Sequence, residues 1–199
     1  MLDDSKPSID WDSLTFSFTE TDRMFMATCK QGEEWQKGVM QDYQDLKISP
    51  AAGVINYGQG LFEGMKARRA EDGRVLLFRP EFNARRSADG CRRLGMPPVS
   101  EKMFLEAVRK VVNENIRWLP PTGRGELYIR PLIFGSGPIL GVAPAPKYTF
   151  LIYAVPVGPY FKGGMNPISL KVSDEYHRAA PGGSGCLLYT SDAADDGLS

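Results

Sequence analysis

Histidine is nearly missing from this sequence: one residue, His177, in 199. A single imidazole argues against a Ser-His-Asp or Cys-His hydrolase and against a histidine-ligated metal site. Cysteine is scarce too. Cys29, Cys91 and Cys186 are odd in number, lie far apart and form no C-x-x-C, so neither a disulfide framework nor a zinc site is expected, and the compartment reads as reducing. Net charge is absent, with 24 Lys+Arg against 24 Asp+Glu. Bulk charge therefore draws the chain to neither nucleic acid nor an anionic membrane, and it offers no repulsion against self-association. No apolar run approaches the roughly 20 residues that cross a bilayer. The opening MLDDSKPSID is acidic without an apolar core, unlike a secretory signal, and lacks the arginines of a transit peptide. With no targeting segment visible, an intracellular location is expected: cytoplasm, mitochondrion or plastid.

What is present is a globular composition, 42% apolar, with room for one sizeable domain or for a small domain and part of another. Short strands are expected first. In LTFSFTE, Leu14, Phe16 and Phe18 alternate with hydroxyl residues, a half-buried strand pattern. MFMATCK and WQKGVMQDY follow, divided by the turn QGEE. The glycines at 53, 58, 60 and 64 predict tight backbone rather than a regular helix, and EDGR predicts a hairpin turn between MKARR and VLLF. Two helices come next. RPEFNARRSADGCRRLG places Phe82, Ala88, Cys91 and Leu94 on one face. In SEKMFLEAVRKVVNENIRWLPP, Ser100 is the expected N-cap, Phe104, Ala107, Val108, Val111 and Val112 recur at helical spacing, and Pro120–Pro121 stop the helix. GELYIRPLIFG and YTFLIYAVPV return to strands. GPYFKGGMNP is a turn-rich connector, after which ISLKVSD opens another strand.

Three stretches could carry chemistry. In GELYIRPLIF, Tyr128 and Arg130 share one strand face, and together they could receive a carboxylate; a solvated arginine on an edge strand has the same pattern. In NYGQGLFEG, Tyr57 and Phe62 among glycines could wall a pocket that backbone approaches closely, or be core aromatics at a turn. Glu63 beside Gly64 is a weak candidate for a catalytic carboxylate. Arg85, Arg86, Arg92 and Arg93 could bind a phosphate monoester, or form a solvated helix face. PGGSG is neither a Walker loop nor G-x-G-x-x-G.

In combination, NYGQGLFEGMKA, LFRPEFNARRS, LYIRPLIFG, VPVGPYFKGG and HRAAPGGSG occur in order and at sensible spacing. Together they resemble the branched-chain-amino-acid aminotransferases, pyridoxal-phosphate enzymes of fold type IV, in particular their eukaryotic, plant- and algal-like branch. The resemblance runs from about Trp11 to Gly185. It implies an α+β small domain, a twisted antiparallel sheet with two helices, over residues 1–157. It further implies a connector at 158–165 and the start of a large domain at 166–185, in a subunit that is usually a homodimer. The implied reaction is amino transfer between leucine, isoleucine or valine and 2-oxoglutarate, with pyridoxal 5'-phosphate as electron sink.

Carried over by position, Arg86 resembles the arginine that grips the cofactor phosphate. Tyr128 and Arg130 resemble the pair that holds a substrate carboxylate. Tyr57 and Phe62 resemble walls of the side-chain pocket, and Tyr160 the aromatic of the connector. The family's Schiff-base lysine falls at position 188, where this sequence has Leu188; the last lysine is Lys171. Residues 186–199 match nothing in the family and are expected to be a non-native tail on a fragment that is itself inactive and binds cofactor weakly. Alternatives in the same fold type are a D-amino-acid aminotransferase or an aminodeoxychorismate lyase. A non-catalytic small-domain interaction module is the alternative outside it.

Overall fold

A proline in the middle of a long strand organises one edge of the sheet. The computed structural model of the chain describes residues 9–159 with residues 167, 169, 171 and 172. The strands are β1 (Arg23–Lys30), β2 (Val39–Asp42), β3 (Gly60–Phe62), β4 (Met65–Arg69), β5 (Val75–Leu77), β6 (Glu126–Gly135) and β7 (Lys147–Val157). All pairings are antiparallel. The order is β2-β1-β7-β6-β4-β5, with β3 also on β6. β3 and β4 lie along one line: Phe62 pairs with Leu132 and Met65 with Ile129. This register sets Glu63 opposite Pro131 and Gly64 opposite Arg130. Glu63 N–H donates to the Pro131 carbonyl at 2.9 Å, but Pro131 has no N–H to return, so the ladder lapses there and the edge reads as two strands.

Helices α1 (Gly53–Tyr57), α2 (Pro80–Arg93) and α3 (Glu101–Glu114) accompany the sheet. α3 forms as its sequence predicts. Ser100 caps it by accepting from Met103 N–H at 3.2 Å, and Phe104, Ala107, Val108, Val111 and Val112 are all buried. Phe104 stacks on Phe150 of β7 with centroids 5.8 Å apart, and Phe25 and Trp35 meet the same ring edge-on. Period-two alternation on β6 sends Leu127, Ile129 and Ile133 into this helix-covered core and turns Tyr128 and Arg130 to the opposite face.

Three expectations are corrected. LTFSFTE is not a strand. It is an irregular segment that bends at Phe16 and Ser17 and crosses the face opposite the helices, with Phe16 at a steep angle to Tyr128 and Phe18 against Tyr43 and Tyr153. Its end is tied to the sheet where Gly158 N–H donates to the Thr15 carbonyl. Second, the glycine-rich 53–64 stretch does hold a helical turn, α1, closed by Gly58 at φ 62°. Third, α2 buries Ala84, Ser87, Gly90 and Cys91, not Phe82, which is 56% exposed. Small residues face inward because α2 packs against both α3 and β3, while the aromatic at its first turn stands beyond the edge of that contact. The EDGR hairpin forms, with Gly73 at φ 84°. ISLKVSD lies largely outside the described residues, as do most of the expected connector, large-domain start and tail.

Candidate functional site

The strip Phe62–Glu63–Gly64 serves both faces of the sheet. On the helix-free face, Phe62 is diagonal to Arg130, and Gly64 lies opposite it. The Arg130 guanidinium sits 4.4 Å from the Phe62 ring centroid and 5.2 Å from that of Tyr128. Its Nη2 donates to Tyr128 Oη at 3.0 Å. Two aromatic faces thus hold the cation, a placement worth about 0.5–2 kcal/mol. Gly64 makes the arrangement possible: a Cβ there would lie 2.2 Å from Tyr128 Oη. Arg130 Nε is buried with no hydrogen-bond partner among the described residues. An unpaired donor on a fixed cation is costly unless an acceptor completes it, and a carboxylate is the acceptor that an arginine fork fits best. Phe16 packs on Tyr128 from the crossing segment.

On the helix side, Glu63 points towards α2 and is only 1% exposed. Arg86 grips it with both Nε and Nη2, at 2.8 and 2.7 Å. Asn83, three residues earlier on α2, donates Nδ2 to Glu63 Oε2 at 2.9 Å and to the Gly64 carbonyl at 3.2 Å. The pair is a bidentate, charge-assisted contact. The Arg86 side chain keeps 29% exposure, so it is not sealed in the core with Glu63. Arg85 and Arg92 differ: they form exposed pairs with Glu101 and Asp89, which is the solvated helix face. Arg86, unlike Arg85 and Arg92, is therefore mounted on a buried partner, and a phosphate monoester fits its chemistry. Among the described residues no group of His, Cys, Asp and Glu is arranged to hold a metal ion.

Tyr57 stands apart from Phe62, Tyr128 and Arg130 in its contacts. Its hydroxyl donates to the Leu140 carbonyl, and with Gln59, Leu94, Val142 and Pro144 it lines an open hollow of about 360 Å³. Tyr160 and position 188 lie outside the described residues. Cys91 offers no nucleophile, because burial pushes its thiol up to about 12. Sequence reasoning undervalued Glu63. The signal lies in the register, which alternation within one segment does not supply: opposite Pro131, Glu63 turns to the core-facing side, where it pairs with a cation.

No family model matches the chain. Among curated proteins it is 56% identical over 177 residues to branched-chain amino acid aminotransferase 2, chloroplastic, of Humulus lupulus, covering 89% of this chain and 43% of that protein. It is 47% identical over 206 residues to branched-chain amino acid aminotransferase 1, mitochondrial, of the same plant, covering 98% and 52%. A crystal structure of the Escherichia coli branched-chain amino acid aminotransferase superposes with a TM-score of 0.56 at 26% identity, covering 71% of this chain and 41% of that one. The chain spans about half the length of the curated relatives it matches. Over that span its motifs, its α+β sheet and its relatives agree, and the chain belongs to the branched-chain-amino-acid aminotransferase family of fold type IV.

Proposed function

We propose that the chain contributes the substrate-facing small domain of an enzyme that moves an amino group between branched-chain amino acids and 2-oxoglutarate. The observation that carries this reading is the Arg130 guanidinium, held between Phe62 and Tyr128 with a buried Nε that has no partner. Arg130 and Tyr128 bind a carboxylate of the substrate. Phe62 and Phe16 exclude water around it and give the cation a low-dielectric setting in which a charged hydrogen bond is strong. Arg86 holds the phosphate of pyridoxal 5'-phosphate, which when bound supplies the electron sink for amino transfer. Tyr57 and Tyr160 complete the apolar walls, and a second copy of the subunit is the natural partner. The 1–157, 158–165, 166–185 and 186–199 divisions belong to the same reading. The plastid or mitochondrion is the expected compartment, in line with the relatives' names; among the described residues no helix is long and apolar enough to cross a membrane.

The test is an amino-transfer assay with added pyridoxal 5'-phosphate on the complete gene product. Leucine, isoleucine and valine should each donate to 2-oxoglutarate. D-Alanine should not donate to 2-oxoglutarate, and 4-amino-4-deoxychorismate should not be consumed. Activity confined to either of those two would assign the chain to another member of the fold type. The 199-residue chain by itself, with Leu188 where the family carries lysine, is expected to give no turnover.

A further inference from the structure

We propose that Glu63 is a positioning residue for phosphate binding: it sets the Arg86 guanidinium, and through Gly64 it ties that setting to the carboxylate face. The inference rests on the reading of Arg86 as the phosphate anchor. A buried carboxylate next to an anion-binding arginine poses a sign problem. Its charge opposes the incoming phosphate, yet its geometry holds the arginine still. Geometry wins here because every described acceptor contact on Glu63 is directional. Oε1 takes Arg86 Nε, and Oε2 takes both Arg86 Nη2 and Asn83 Nδ2. These contacts engage one edge of the guanidinium and fix the plane of the fork, on a side chain that is still 29% exposed. Arginine carries large rotamer entropy, and a fork held in advance loses less of it on binding.

The mounting continues into the other face. Asn83 Nδ2 also reaches the Gly64 carbonyl. Gly64 lies opposite Arg130, and its missing Cβ admits the Tyr128 hydroxyl. Three consecutive residues therefore support two anchors: Phe62 under Arg130, Glu63 on Arg86, and Gly64 against Tyr128.

The experiment compares pyridoxal 5'-phosphate with pyridoxal by equilibrium dialysis on the complete gene product, with inorganic phosphate as competitor. The ratio of the two affinities reports the phosphate contact alone and is blind to a general loss of stability. The parent should prefer the phosphorylated compound, and Arg86→Gln should erase that preference. Glu63→Gln places an amide N–H against the arginine donors and should cut the preference roughly tenfold, leaving pyridoxal affinity unchanged. Glu63→Asp keeps the charge but withdraws the carboxylate. It should also lower the preference, and it carries the test if Glu63→Gln does not fold. An unchanged or increased preference in the folded Glu63 variants, with Arg86→Gln still damaging, would overturn the inference and leave the Arg86 reading intact: Glu63 would then merely neutralise the arginine. No preference in the parent, or none lost in Arg86→Gln, would remove the Arg86 reading and the inference with it.

Discussion

Gly64 shows how closely Arg130 and Tyr128 are fitted to the strand beside them. The residue is opposite Arg130, and an added Cβ would fall 2.2 Å from Tyr128 Oη. Gly64→Ala is expected to displace that hydroxyl and break its 3.0 Å bond from Arg130, with little change to the core on the other face. The loss should be visible as a shift in the Tyr128 ring resonances and at least a severalfold weaker affinity for a 2-oxo acid. Unchanged resonances would mean that the tyrosine is not held by this contact. The sequence shows Arg130 and Tyr128 on one face, because strand alternation is local. It does not show that Gly64 faces them or that Glu63 faces Arg86. Those facts depend on register between segments roughly 65 and 20 residues apart, which alternation within one segment cannot supply.

Among the elements, α3 and α2 were not equally legible. α3 carries large apolar residues on one stripe and a serine cap, so pattern and packing agree. α2 starts from Arg79, the one non-glycine residue at positive φ among those described. Its inner face is Ala84, Ser87, Gly90 and Cys91, residues chosen for close approach rather than for apolar area. A rule that sends large aromatics inward therefore misplaces Phe82, which instead lies beneath Arg79 and Arg85 at the surface. LTFSFTE misleads for a related reason: its alternation is local, and a segment that bends at Phe16 and Ser17 joins no ladder. α3 also holds the sheet in shape behind the site. Phe104 is fully buried against Phe150, so Phe104→Ala should cost about 3–5 kcal/mol in denaturant unfolding. A loss under 1 kcal/mol would show that the helix is not the support described here.

At the scale of the molecule, the sheet keeps two unlike faces. One is sealed by α2 and α3 over a continuous apolar core. The other is crossed by the 14–20 segment, whose aromatics pack on Tyr128 and Tyr153 and leave Arg130 between rings. The fold class was readable because strand alternation and one strong helix suffice to specify it. Arg86 and Arg130 were readable only as residue types in motif order. Their mounting, on adjacent residues of one edge strand line, emerges from the interruption at Pro131. The central claim is that this face receives a carboxylate at Arg130. The most direct measurement follows the Arg130 Nε–H resonance by NMR while 2-oxoglutarate is titrated into the chain. A saturable downfield shift, with binding roughly 10- to 100-fold weaker in Arg130→Gln, is the predicted result. An Nε–H resonance that never moves, with the same affinity in Arg130→Gln, would contradict the account.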